Sequence, residues 1–380
     1  MICDIIEKDQ CCGCSACLHS CPTGAILIKE NENGFLNAVI DKEKCINCDI
    51  CDKVCPVKNQ VVNENIKCYA LTLSDETQLM KSQSGGAFYA LAKRILTDGG
   101  VVYGVSNSNV KDVCVVRVES IAELSQLLKS KYVQSDIGVS FAEVKEDLQN
   151  GRKVFYSGTA CVVQGLKNFL RQKNVSINNL FTCDLICHGV PSRMMDKDFI
   201  NYLEKKFSSK VVSLIYRNKE RGWGPHFEKY TFENNKSIET NDKVIVFSKG
   251  YALSPSCFDC KFTTPYREAD ITIGDFWTLG KIGMSKTQFS KGISVCILRN
   301  DYLDTIIADL AYNKEIQLTE IELEDAMQWN LLKPSAKPEK YQKFWKMYKK
   351  NRFHSLKPVY YSLSLREKSS RMLKRILKRV

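Results

Sequence analysis

The sequence predicts an α+β protein: a small cysteine-rich module, then an α/β body with a mixed sheet, then a basic helical tail. Three observations carry this. A four-cysteine run occurs twice within residues 1–60, apolar strand-like segments then alternate with helical ones, and the positive charge is crowded at the C-terminal end. The segments are expected at 1–60, 66–330 and 331–380. A chain of 380 residues that is 44% hydrophobic and 26% charged has ordinary globular proportions, which excludes disorder as its main state. No apolar run reaches the roughly 18 residues needed to cross a bilayer. Met1-Ile2-Cys3-Asp4-Ile5-Ile6-Glu7 has neither the basic start nor the apolar core of a secretory signal, so a cytoplasmic location is expected. In a reducing compartment, 18 cysteines point to metal ligands before disulfides.

The module comes first. Cys11-x2-Cys14-x2-Cys17-x3-Cys21-Pro22 recurs as Cys45-x2-Cys48-x2-Cys51-x3-Cys55-Pro56. This is the arrangement of bacterial two-cluster ferredoxins, in which three close thiolates hold one cubane and the distant fourth, before proline, crosses to the other. The spacing therefore assigns Cys11, Cys14, Cys17 and Cys55 to one [4Fe–4S] cluster, and Cys45, Cys48, Cys51 and Cys21 to a second. Zinc is the alternative for any Cys-x2-Cys, but a doubled run with both prolines suits two tetrahedral ions poorly. Asn33-Gly34 between two apolar stretches predicts a hairpin. So small a core needs its metal to fold.

In the body, strands are expected at 66–71, 101–105, 113–118, 153–156 and 180–186, with helices at about 86–96, 121–128, up to 171, and 192–207. After Val211 the pattern is richer in strands, through Ile271–Gly274 and Ile293–Leu298. In the tail, Lys333 to Val380 holds 16 Lys and Arg against two acidic residues, so the rest of the chain is close to neutral despite a net charge of +12. A nucleic-acid groove through the fold is thus unsupported. Residues 366–380 read as an amphipathic basic helix. It suits packing on the body or a partner, peripheral contact with the inner face of a membrane, or docking of an acidic carrier.

Two further sites are legible. Cys161 and Cys187 each follow a strand, and Cys257-x2-Cys260 lies in a loop. Strand ends of an α/β sheet are where sites are built. These four can close a third four-thiolate site, bind zinc, or pack as buried thiols. Cys183 competes as a ligand, although its place in mid-strand favours a core role. Cys3, Cys12, Cys68, Cys114 and Cys296 read as structural. Ser82-Gln83-Ser84-Gly85-Gly86 precedes a helix and suits either close approach of backbone amides to a phosphate or an ordinary cap. Lys131, Tyr132, Gln134, Ser135 and Thr159 add polar groups near element ends, with turn chemistry as the alternative.

Gln83-Ser84-Gly85-Gly86, Ser130–Ser135, Gly158–Cys161, Cys187-His188-Gly189-Val190-Pro191-Ser192, Gly222-Trp223, Cys257-x2-Cys260 and Asp270–Trp277 together resemble the coenzyme F420 hydrogenase/dehydrogenase beta-subunit family over roughly residues 1–300. The resemblance implies a flavoprotein, usually with FAD, that passes electrons between iron–sulfur clusters and a hydride donor or acceptor. It favours Cys161, Cys187, Cys257 and Cys260 as a third [4Fe–4S] site and moves the Ser84–Gly86 turn towards FAD. One departure is Thr159-Ala160-Cys161-Val162 where the family commonly has Thr-Pro-Cys-Gln. The thiol is kept and the Gln side chain has no counterpart.

One-electron clusters and a hydride substrate need a converter, and a flavin is one. The reading is an oxidoreductase linked to reduced ferredoxin or a similar carrier and acting on a small organic substrate. The alternatives are a coenzyme F420 oxidoreductase subunit or an electron-transfer subunit with no substrate of its own. His188 is the candidate proton donor, a structural histidine being the plainer role. Arg217, Lys219 and Arg221 can hold an anion or lie on a solvated strand end.

Overall fold

The computed structural model describes residues 2–7, 9–224, 226–278 and 290–352; the expected helix at 366–380 lies outside the described residues. The module is assembled from short pieces because little apolar sequence separates its cysteines: α1 (Ile2–Glu7), α2 (Ala16–Ser20), β1 (Ile26–Glu30), β2 (Leu36–Ile40) and α3 (Ile50–Val54). β1 and β2 form the antiparallel hairpin around Asn33-Gly34, with Ile26 opposite Ile40 and Glu30 opposite Leu36. Both cysteine runs follow one backbone pattern. Gly13 and Ser15 in the first, and Asn47 and Asp49 in the second, have left-handed φ between 52° and 69°.

The body supplies β3 (Lys67–Leu73), α4 (Glu76–Lys81), α5 (Ala87–Thr97), β4 (Val101–Ser106), β5 (Cys114–Val118), α6 (Ser140–Gln149), β6 (Val154–Thr159), α7 (Ala160–Gln172), β7 (Leu180–Leu185) and α8 (Arg193–Phe207). It continues with β8 (Val211–Ile215), β9 (Glu228–Phe232), β10 (Ser237–Thr240), α9 (Asp242–Ser248), β11 (Ile271–Asp275), β12 (Ser294–Leu298), α10 (Asp301–Tyr312), β13 (Ile316–Ile321), α11 (Leu323–Ala326), α12 (Trp329–Leu332) and α13 (Tyr341–Asn351). An eight-stranded sheet runs β13-β3-β12-β11-β7-β6-β4-β5, and β8–β10 make a separate antiparallel sheet. β4, β6, β7 and β11 are parallel, while β5, β12, β3 and β13 join antiparallel, which gives the expected mixed sheet.

Alternation along the strands decides the layers. Val102 and Phe155 face one core with Leu91 and Ile95 of α5 and Leu303 and Ile307 of α10. Val101, Tyr103, Val154 and Tyr156 face the other, with Phe141 and Val144 of α6 and Leu166 and Phe169 of α7. That second core also takes in Cys14, Ala16, Cys17, Ile26, Ala38, Val54 and Cys55, so the module is docked on α6 and α7 through a shared interior. Polar ties reinforce it. Asn168 Nδ2 donates to the carbonyls of Val54 (3.4 Å) and Asn59 (3.0 Å), and Val61 N–H donates to Gln164 Oε1 at 3.2 Å.

Two expectations shift. The segment at 121–128 is a 3-10 turn over Glu123–Leu127 rather than an α-helix. It is too short to repay helix nucleation, its Leu124 and Leu127 are buried in the core, and Lys129 at φ 66° turns the chain. The break expected at 330 does not mark the end of the body. Leu331 is buried, and α13 buries Tyr341, Phe344, Trp345 and Tyr348, with Trp345 5.8 Å from Phe35 of the module. The lysines of α13 lie on its outer face, so basic composition conceals a packed amphipathic helix. Among the described residues no helix is long and apolar enough to cross a membrane.

Candidate redox-cofactor site

Left-handed residues flank the cysteines in both runs, a conformation in which successive backbone N–H groups can form a concavity that favours an anionic guest. The structure brings Cys11, Cys14, Cys17 and Cys55 together. Cys17 feels the charges of Cys11 and Cys55, and Cys14 those of Cys17 and Cys55. Cys14, Cys17 and Cys55 are buried, and desolvation followed by like-charge crowding pushes the Cys17 thiol up. Ala38 N–H donates to Cys11 Sγ at 3.4 Å. Cys21, Cys45, Cys48 and Cys51 surround a second hollow of about 50 Å³. Ala25 N–H donates to Cys21 Sγ at 3.3 Å, and Cys48 is exposed. Among the described residues no three His, Cys, Asp or Glu side chains gather as for a single metal ion.

Four other cysteines meet at the carboxyl edge of the parallel strands, where open α/β sheets place ligands. Cys161 lies in the first turn of α7 after β6, Cys187 two residues beyond β7, and Cys257 and Cys260 at a 3-10 turn over Pro255–Asp259. Cys257 feels Cys187, Cys161 and Cys260, and Cys260 feels Cys161. Burial, then this crowding, raises Cys187 to about 12 and Cys260 to about 11, with Arg267 opposing. Backbone N–H groups already aim at the set: Gly189 N–H donates to Cys187 Sγ at 3.3 Å and Val190 N–H to Cys257 Sγ at 3.4 Å.

All four line a cavity of about 480 Å³, well within the size range of cofactor sites. Ser82–Ser84, Gly86, Lys131, Tyr132, Gln134, Ser135, Thr159 and His188 line it too. Their roles diverge from a uniform flavin-binding set. Ser84 Oγ donates to Ile293 O at 2.6 Å, Gly85 N–H to Ser294 Oγ at 2.9 Å and Gly86 N–H to Gln83 O at 3.1 Å. The turn is therefore sewn to β12, and its glycine amides are already committed. A Cβ at Gly85 would stand 2.0 Å from Leu71 O, so only glycine lets the turn lie on β3. What remains open is the start of α5, capped by no side chain, with Ala87 and Phe88 on the wall. Gln134 is likewise committed elsewhere. Its amide accepts from Leu36 N–H at 2.7 Å and donates to the carbonyls of Leu36 (3.2 Å) and Cys12 (3.3 Å), tying body to module.

The polar atoms left over are informative. Ser82 Oγ, both amide atoms of Gln83 and Arg217 Nε are buried without hydrogen-bond partners among the described residues. Lys129 also lines the cavity; burial lowers its pKa, and the charge of Glu220 opposes that. Behind the turn, Lys219 Nζ donates to the carbonyls of Leu79 (2.8 Å) and Ser84 (2.9 Å), and burial lowers its pKa to about 7. Burial also lowers Lys131 to about 7; its Nζ donates to Gln126 O and Leu128 O. Arg217 pairs with Asp275 at 2.5 Å, and Trp223 Nε1 donates to the same carboxylate at 2.9 Å. Trp223 stacks on Trp277 at 4.5 Å, with Trp277 half exposed at the rim. Arg221 turns away to Glu239. The His188 imidazole is exposed on the cavity and has no hydrogen-bond partner among the described residues, and desolvation lowers its pKa.

Comparison with known proteins bears on both parts. Residues 10–59 match the 4Fe-4S dicluster domain, and residues 151–324 match the C-terminal part of the beta subunit in coenzyme F420 hydrogenase/dehydrogenase. Residues 151–324 thus carry the C-terminal domain of the coenzyme F420 hydrogenase/dehydrogenase beta subunit, behind a 4Fe-4S dicluster domain. The chain is an oxidoreductase-family protein with an iron–sulfur domain in front. No curated protein matches it. Among solved structures, a chain of the F420-reducing [NiFe] hydrogenase complex from Methanosarcina barkeri is similar at 16% identity and a TM-score of 0.46, covering 68% of this chain and 86% of that one.

Sequence reasoning missed three cavity residues. Lys129 lies just beyond the helix expected at 121–128, where its left-handed backbone turns the chain, and it lines the wall. His226 has no motif around it, yet its ring lies 4.6 Å from Tyr132, and burial followed by Arg217 holds its pKa at about 4. Asp275 was inside a quoted motif without a role, and it organises Arg217 and Trp223.

Proposed function

We propose that this chain is an iron–sulfur flavoprotein oxidoreductase with three [4Fe–4S] clusters and FAD, working between reduced ferredoxin or a similar carrier and a small organic hydride acceptor. The observation that carries the reading is one cavity faced by four thiols and by unpartnered polar and basic groups. Cys11, Cys14, Cys17 and Cys55 would hold one cluster, Cys21, Cys45, Cys48 and Cys51 the second, and Cys161, Cys187, Cys257 and Cys260 the third. The donor chemistry fits: crowded thiols are costly alone but become favourable as thiolates on a cationic iron core, and the N–H groups that donate to their sulfurs stabilise the net negative charge of the ligated cluster.

For FAD, Lys129 and the uncapped start of α5 suit a diphosphate, and Ser82 and Gln83 offer the free polar atoms that a ring edge or ribose needs. When bound, a flavin accepts single electrons and transfers hydride. The chain's own residues prepare the site. The sheet edge and α7 exclude water from one side, Asp275 fixes Arg217 and the indole pair at the rim, and His188 can take up or release a proton on its free imidazole. The family's beta-subunit description supports a protein partner, and peripheral membrane contact through 366–380 rests on the amphipathic pattern alone.

Anaerobic purification tests the reading. About 12 iron per chain and one FAD are expected for three cubanes and a flavin; an iron-free, zinc-loaded protein without flavin would overturn it. A second reading, supported by the family description, takes coenzyme F420 as the acceptor. Bleaching of added F420 by the dithionite-reduced protein supports it, and an unchanged spectrum removes it.

A further inference from the structure

Beside the large cavity lies a charged cluster that the proposed chemistry leaves unused. Asp196 of α8, Glu228 of β9 and Lys243 of α9 are all buried. Lys243 Nζ pairs with Asp196 and stands 3.2 Å from Glu228 Oε1. Tyr216 Oη donates to Asp196 Oδ2 and Tyr230 Oη to Glu228 Oε2, each at 2.8 Å. The rings of Phe199, Tyr216 and Tyr230 surround the ammonium, with centroids between 5.0 and 5.8 Å away. Arg193, also on α8, is turned to Glu30 and Asp112. A pin between α8, α9 and the β8–β10 sheet needs one carboxylate for its one ammonium. Here there are two, and full ionisation would bury a net negative charge. A carboxyl that keeps its proton removes that charge. Burial raises Glu228 to about 7, with Lys243 opposing and Asp196 adding to the rise.

The cluster borders the cofactor side. Asp196, Glu228 and Lys243 line a small cavity of about 20 Å³, which is room for one water molecule. Tyr132 and His226 line it too, and both also line the large cavity, so the two hollows share a wall. His226 Nε2 stands 3.2 Å from Tyr216 O. A carbonyl only accepts, so in the neutral ring Nε2 carries the hydrogen and Nδ1 is the acceptor.

We propose that Glu228 serves the large cavity with protons through this wall, binding one when electrons reach the cavity and releasing it to the reduced product. This rests on the proposed flavin reading. The balance is simple. A hydride brings the acceptor two electrons and one proton. The second proton leaves the Glu228 O–H, crosses the small cavity and its wall, and completes the product. Lys243 and the Tyr230 hydroxyl stabilise the carboxylate left behind, which regains a proton from solvent. A carboxyl that titrates near neutrality is suited to both halves of this cycle. Glu228 touches neither flavin nor acceptor, so it is a positioning residue for the proton.

The test uses the full-length protein with FAD bound, purified without oxygen, beside Glu228→Gln and Glu228→Asp. The midpoint potential of the FAD is measured from about pH 6 to about pH 8, either side of the Glu228 value. Negative charge entering the cavity tightens proton binding at Glu228. The potential of the unmutated protein should therefore fall more steeply with pH than that of Glu228→Gln, by at most about one proton per electron pair. Glu228→Asp should restore the steeper slope. Reduced-minus-oxidised infrared spectra should gain the carbonyl band of a protonated carboxyl, shifted in D2O and missing from Glu228→Gln. Equal slopes in the unmutated protein and Glu228→Gln overturn the proposal. So does a spectrum of the unmutated protein without that band, a result that stands even where Glu228→Gln does not fold. Failure of the underlying reading looks different: the purified protein then lacks flavin absorbance altogether, and the proposal falls with it.

Discussion

The cysteine sets of the module and of the cavity use the same donor atom and are put together in opposite ways. The module draws its eight from a stretch running from Cys11 to Cys55, and the conformation that gathers them is written locally, in left-handed residues at matching places of the two runs. The cavity draws its four from the first turn of α7, the loop after β7 and a 3-10 turn far along the chain. Nothing local joins these; the sheet does. The lesson concerns dependence. In the module the fold leans on the metal, since Cys14, Cys17 and Cys55 sit inside the core that docks it on α6 and α7. In the cavity the site leans on the fold, since β6, β7 and α7 are held by apolar packing whether or not a cluster is bound.

Three measurements would break or sharpen that contrast. The largest effect is expected from paired substitutions. Cys17→Ala should remove about four irons and destabilise the chain by more than about 5 kcal/mol, since metal binding is folding energy in so small a module. Cys187→Ala should also remove about four irons but cost no more than about 2 kcal/mol, the range of an ordinary site substitution. Anaerobic thermal denaturation with iron analysis decides. Equal destabilisation by the two would end the distinction.

A smaller effect is expected at the other wall of the cavity. Lys129→Gln removes a cation from the cavity wall, and Gln83→Leu removes two polar atoms without hydrogen-bond partners among the described residues. Each should weaken FAD about 10-fold, the scale of one charge-assisted hydrogen bond, with iron content unchanged. Flavin fluorescence titration of flavin-free protein measures it. Unchanged affinity in both would move the flavin away from this wall.

The smallest effect is a pH dependence. Burial holds Lys219 at about 7 when folded, below the ordinary lysine value, so between these the folded state binds fewer protons than the unfolded state. Its penalty is therefore full below pH 7 and is relieved as pH rises. Lys219 should add up to about 1 kcal/mol to the stability gained by flavin-free protein between pH 7 and 8, before thiols begin to titrate, beside a like share from Lys131, and Lys219→Met should lose its own share. Urea denaturation at both pH values checks the sign. A gain of equal size in the variant would assign the slope to other groups.

Much of this was legible before any fold was known. The doubled cysteine run, the Asn33-Gly34 hairpin and the alternating body are statements about spacing and period, and these survive in three dimensions because each acts within a few residues. The strands beyond Val211 were legible as strands but not as two destinations: β8–β10 leave for their own sheet while β11–β13 complete the main one. The Ser82–Gly86 turn was found by its small residues, yet its amides are engaged by β12, a partner some two hundred residues away. Gln134 was read as a cofactor ligand, and it became a tie between module and body once β2 came within reach. Basic composition disguised α13, because charge counts every lysine and burial is decided by the four aromatics on its other face.

By itself the sequence determined the chemistry of the donors and their grouping wherever the grouping is local: eight thiols in two interleaved sets, strands and helices in alternation, and a charged end. Tertiary structure alone decided which distant cysteines share a cavity and which amides are free and which are spent. The reason is physical. Local spacing limits the backbone through a few dihedral angles, whereas the pairing of strands and the docking of one layer on another depend on apolar area summed over the whole chain.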